Sequence, residues 1–135
     1  MTRILLLYLA TFAVFLVIDL VWLGVVSRNF YRSQLGNLMT DSIVWGAAIL
    51  FYLLFVAGLV LFAVLPALDG GGWIRALALG AAFGFFAYMT YDLTNLATLR
   101  DWPLTLTVVD IGWGTILGGV VATAGYVIGT RLPPA

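Results

Sequence analysis

WIRALALGAAFGFFAYMTYDLTNLATLRDWP, residues 73–103, decides how this chain folds. The apolar part predicts a helix over about residues 74–97, long enough to cross a hydrocarbon layer of about 30 Å at about 1.5 Å per residue. The run turns polar before it ends. Tyr91, Asp92, Thr94 and Asn95 occupy its last turns, and Arg100-Asp101-Trp102-Pro103 reads as a tight turn. A membrane helix that gathers polar groups at one end raises the question of what that end faces.

Three further segments read the same way: about 4–26, 43–65 and 104–128. Of the 135 residues, 64% are hydrophobic and 9% charged, where a soluble domain carries about a quarter charged. The expected fold class is therefore all-α: a polytopic integral membrane protein, a single domain over residues 1–135, with four transmembrane helices in a compact bundle. The first segment is too apolar over too great a length for a signal peptide, and no small-x-small cleavage site follows it, so it reads as an uncleaved span. Residues 27–42 form the one long loop, with room for a short interfacial helix. Thr40, Asp41 and Ser42 offer N-caps to the second span. Residues 66–73 (PALDGGGW) read as a turn ending at an interfacial Trp73, and Pro103 suits the first turn of the fourth helix.

Both termini then fall on one side, side A, with Arg3, Arg75 and Arg131; side B carries Arg28, Arg32 and Arg100. Three against three leaves the positive-inside rule without a vote. Such a tie is what dual-topology dimers carry and also what chance gives with six charges.

Lys, Glu, His and Cys are absent, and the net charge is zero. Without a basic excess there is no case for nucleic-acid binding. The missing Cys and His disfavour iron–sulfur and haem sites, and the missing Lys disfavours a Schiff base to retinal or pyridoxal phosphate. Chemistry is left to Asp, Asn, Thr, Ser, Tyr, Trp, Arg and the backbone, and no organic cofactor is expected. A hard divalent cation suits Asp, Asn and carbonyl oxygens, which makes Asp19, Asp92 and Asp110 candidate metal ligands.

Those three Asp lie inside apolar segments. At 1.5 Å per residue all of them sit roughly 8–11 Å in from side B, so three helices bring a carboxylate to one level. Each costs about 2.5–3.5 kcal/mol in a membrane, too much for ornament unless they share a hydrated pocket. Like charges and desolvation disfavour three ionised carboxylates together, so one or two hold a proton or a cation balances them. Asp19 and Trp22, and again Asp110 and Trp113, repeat D-x-x-W, with both partners on one helix face. Tyr88, Asp92 and Asn95 share a face of the third helix, as do Tyr91, Asn95 and Thr98; Thr105 and Thr107 lie near this level on the fourth. Arg28 and Arg100 end their helices on side B and could fold back toward the carboxylates. The competing reading makes Trp22, Tyr88 and Trp113 interface anchors and the Asp layer polar glue. The second span has no Asp or Arg between Ile43 and Leu65 and reads as scaffold. Gly114, Gly118 and Gly125 on the fourth span, with Gly80 and Gly84 on the third, give small-xxx-small faces for packing those two helices together; homodimerisation is the rival use.

DLVWLG (19–24), YDLTNLATLRDWP (91–103) and DIGWG (110–114) together resemble a family of small bacterial membrane proteins known as domain of unknown function 2177. The resemblance covers nearly the whole chain. It implies a four-span protein of the bacterial inner membrane, surrounded by lipid, and implies no activity. Three functions compete: binding or transport of a proton, cation or small polar ligand at the Asp/Asn/Tyr site; lipid modification, with the Asp cluster binding a metal or acting as acid and base; and a non-catalytic accessory subunit.

Overall fold

A computed structural model describes residues 1–133. Four helices among them are long and apolar enough to cross a membrane: Thr2–Val26, Trp45–Asp69, Gly72–Thr98 and Leu104–Arg131. They are the first to fourth spans, and they pack into one bundle. The loop between the first two carries a short helix, Phe30–Leu35, followed by one 3₁₀ turn, Gly36–Leu38.

Each span turns one stripe inward. Leu7, Thr11, Phe15 and Asp19 recur every fourth residue on the first span and are all buried. Ala76, Gly80, Gly84 and Asp92 continue the same step on the third, as do Leu106, Asp110, Gly114, Gly118 and Ala122 on the fourth. The opposite faces expose Leu9, Val17, Leu20, Phe62, Phe86 and Ile116, the surface a hydrocarbon solvent requires.

The third and fourth spans form the most extensive helix pair. A methyl group on Gly80 would collide with the Gly118 carbonyl and the Ala122 side chain, and one on Gly84 with the Gly114 carbonyl. The backbones approach as closely as glycine allows, which is how helices gain dispersion contact in a membrane. Gly114 instead receives the Tyr88 ring, and a Cβ on Gly125 would lie 2.9 Å from the Thr11 hydroxyl and 3.0 Å from Val64. These glycines are thus occupied by packing inside the chain. Toward side A the core is closed by Phe15, Phe55, Leu59, Leu117 and Val121, all buried.

The connections differ in detail from expectation. The second span begins at Trp45, with Val44 at the N-cap and no side-chain cap. The Thr40 hydroxyl accepts from the Ser42 N–H at 3.1 Å and bonds the Ser42 carbonyl at 3.0 Å, folding the loop on itself, so neither it nor Asp41 nor Ser42 caps the helix. The turn expected over 66–73 shrinks to Gly70 and Gly71, because the helix absorbs Pro66. Proline has no N–H for the carbonyl four residues back, and the chain widens to a π-helical turn over Val60–Val64 just before it. Gly71 and Gly72 then take φ of 93° and 70°, open to glycine without strain. Pro103 stands one residue before its helix.

On side A the arginines close helix ends. Arg3 donates to the Gly129 carbonyl at 3.2 Å, tying the start of the first span to the end of the fourth. Arg75 donates to the carbonyls of Pro66 and Gly70 at 3.0 and 3.1 Å. A cation on a helix C-terminus satisfies orphan carbonyls and the helix dipole together.

Candidate functional site

The three inward stripes bring Asp19, Asp92 and Asp110 to one cavity of about 550 Å³. All three are buried, at 5%, 0% and 7% exposure. The cavity lies in the side-B half of the bundle, below the loop helix, whose Tyr31 and Leu35 line it together with Met39.

The two D-x-x-W motifs meet across the bundle. The Trp22 and Trp113 rings stack at 4.2 Å with an interplanar angle of 6°. Each indole serves the other motif's carboxylate. Trp113 Nε1 donates toward Asp19 Oδ1 at 3.4 Å. Trp22 Nε1 donates to the Tyr31 hydroxyl at 2.9 Å, and Tyr31 donates in turn to Asp110 Oδ1 at 2.8 Å. The end of the first span sets this up. It widens to a π-helical turn over Trp22–Val26, and the N–H and hydroxyl of Ser27 close that turn on the Trp22 carbonyl at 2.7 and 2.8 Å. Burial pushes the Tyr31 hydroxyl well above the ordinary tyrosine range, and the Asp110 charge adds to this, so Tyr31 stays a donor at neutral pH.

Asp92 differs from its neighbours. Neither carboxyl oxygen has a hydrogen-bond partner among the described residues, and the carboxyl of Asp110 lies beside it. Two neighbouring buried carboxyl groups disfavour ionisation of both unless a cation balances them. Asp19 is better supplied, since the Tyr52 hydroxyl approaches it alongside Trp113. The three do not form a metal cage. Among the described residues no group of three His, Cys, Asp or Glu side chains is placed to hold a metal ion.

Of the other residues expected here, Trp22, Tyr88, Tyr91 and Trp113 line the cavity, while Thr94, Asn95, Arg28 and Arg100 do not. The Thr94 hydroxyl is spent on its own helix, bonded to the carbonyls of Thr90 and Tyr91. Asn95 stands one turn beyond, beside Tyr91. Arg28 and Arg100 are exposed and stay at the surface, where the ionic head costs least. Thr107 is buried and accepts from Trp102 Nε1 at 3.1 Å; Thr105 is exposed.

The second span is more than scaffold. Ala48, Phe51 and Tyr52 line the cavity. Tyr52 was legible in principle, because a tyrosine about two turns inside an apolar helix is too deep for an interface anchor. Tyr31 carried no such signal, since its place depends on how the loop folds back over the π-helical turn.

A family model described as "Predicted membrane protein (DUF2177)" matches residues 4–127. No curated protein and no solved structure matches the chain.

Proposed function

We propose that this chain, which belongs to the DUF2177 family of predicted membrane proteins, is a binding protein of transport type whose Asp layer holds a proton that a cation from side B displaces. The observation that carries this is Asp92, fully buried with both oxygens unpartnered in the wall of a cavity. An ionised carboxylate left so would cost several kcal/mol, and a proton or a bound cation removes that cost. Asp110 beside it adds a second carboxyl to the site, and Tyr31 holds Asp110 in place. The resemblance noted above supports the bacterial inner membrane as its setting.

A lipid-modifying enzyme is the second reading, favoured by the largely apolar wall and by the cavity's position in the half of the bundle nearest the side-B headgroups. Against it, the polar groups of the wall are carboxyls, phenols and indoles, with no serine or cysteine to act as nucleophile. An accessory subunit with an inert polar layer would have every member paired, and Asp92 is not.

A carbodiimide, which couples to carboxylic acids that hold their proton in an apolar setting, tests the proposal in native membranes. The expected result is label mapped by mass spectrometry to Asp92 or Asp110, and label absent from that pair in Asp92→Asn. A wild-type protein unlabelled at both positions would overturn it.

A further inference from the structure

The cavity is built of surfaces that suit one kind of cation. Aromatic rings dominate its wall: the stacked Trp22 and Trp113, then Phe51, Tyr52, Tyr88 and Trp102. A ring face attracts a cation within about 6 Å of its centre, and more strongly when the site is dry. No arginine lines the cavity. All three indole N–H groups in its wall are already committed, to Tyr31, Asp19 and Thr107. An anionic ligand would find three carboxylates and no cation. A bare metal ion would find no cage, since hard divalent cations take six to eight oxygens for calcium or a strict octahedron for magnesium. The volume, about 550 Å³, falls in the range of about 300–1,000 Å³ typical of small-molecule sites, far more than a proton or metal needs.

From these surfaces, and from the unpartnered Asp92 among them, we infer that the cavity binds an organic cation: an ammonium group carried on an apolar or aromatic body. This rests on the binding reading above and names its ligand class. The ammonium sits at the Asp92–Asp110 pair, and the body lies against the aromatic wall toward Phe51 and Met39. A free amphiphilic amine and the ammonium head of a phosphatidylethanolamine share this chemistry. The free amine is the better fit, because a lipid phosphate beside the ammonium would lie among carboxylates with no basic residue in the wall.

The test uses the whole chain in lipid nanodiscs with Trp45 and Trp73 replaced by Phe. Neither lines the cavity, so the remaining indole fluorescence reports it. The probe is benzyltrimethylammonium, compared with neopentylbenzene, which has carbon in place of the charged nitrogen. The expected result is a saturable fluorescence change with the ammonium, at least about tenfold weaker binding of the neutral isostere, and at least about tenfold loss in Asp92→Asn, whose amide keeps the shape. Asp19→Asn serves as a second variant, expected to weaken binding in the same direction. Magnesium and added phosphatidylethanolamine should fail to displace the probe. Equal binding of the isostere would reduce the cavity to an apolar groove and overturn the inference. Displacement by magnesium or by the lipid would overturn it in favour of those ligands. Carbodiimide label on the Asp pair with no ammonium binding would end this inference and leave the proton site standing; no label and no binding would end both.

Discussion

Tyr31 is the residue on which the loop and the membrane site depend together. It accepts from Trp22 and donates to Asp110, and no other loop side chain reaches a carboxylate in this way. Its hydroxyl titrates above the unfolded value of about 10. The folded state therefore keeps its proton at pH values where the unfolded chain has lost it. Stability from this contact is complete below about pH 10 and falls as pH rises beyond it, because the folded state then binds more protons than the unfolded. Tyr31→Phe should cost about 1.5–3 kcal/mol at neutral pH, the usual worth of a hydrogen bond to a charged group. It should also flatten the alkaline fall. Thermal unfolding of both proteins in detergent, from neutral to strongly alkaline pH, measures this; parallel curves would contradict the assignment. The Asp level was legible in the sequence, because depth follows from counting residues along a helix of fixed rise. The Trp partners were not. D-x-x-W reads as a pair within one helix, whereas Trp113 here serves Asp19 of the first span and Trp22 reaches Asp110 only through Tyr31 of the loop helix, a fact of packing that spacing does not encode. Thr94 was drawn into the expected site by proximity to Asp92 along the chain, but its hydroxyl turns back to its own helix; Asn95 shares the Asp92 face and stands one turn too far along it, beside Tyr91.

Among the elements, the third and fourth spans test the packing most directly. Gly80→Ala drives a Cβ into the Gly118 carbonyl and Ala122, a backbone and a side chain that cannot both yield. The cost should reach about 1–3 kcal/mol, the usual penalty of overpacking. Gly112, on the same fourth span, has nothing within 4 Å of an added Cβ. Gly112→Ala should leave stability unchanged or raise it by about 0.5–1 kcal/mol, through the helix preference of alanine alone. Melting temperatures in detergent should move in opposite directions for the two variants, or stay fixed for the second. A matched fall in both would show that the pair does not meet where described. The small-residue faces were readable because a four-residue step of glycine has few other uses in a membrane helix. The helix ends were less so. Thr40 spends its hydroxyl within the loop, and Pro66 is accommodated by the π-helical turn just before it, choices that depend on tertiary contacts.

For the whole molecule, the Arg3 bond to Gly129 and the Gly70–Gly71 turn put the start of the first span, the end of the fourth and the second connection on one side. The native chain has no cysteine, so single substitutions report topology cleanly. Asp69→Cys and Thr2→Cys should label from the same side with a membrane-impermeant maleimide, and Asn37→Cys from the other. Labelling of positions 37 and 69 from one side would refute the arrangement. Length and apolarity made this architecture readable, since a chain in hydrocarbon has few ways to satisfy its backbone. Orientation was not, because the arginines balance. The sealed core on side A gives the Asp layer an electrical character. A positive charge entering from side B to a depth of roughly 10 Å in a hydrocarbon layer of about 30 Å crosses about a third of the transmembrane field. At about 2.3 kcal/mol per charge per 100 mV for the full crossing, occupancy gains or loses about 0.8 kcal/mol, a three- to fourfold change in affinity. Probe binding in proteoliposomes under an imposed potassium diffusion potential should shift by that factor, with opposite sign for the two insertion directions. The cavity would then act as a shallow voltmeter, and the sign of its response would report which side of the membrane it opens to.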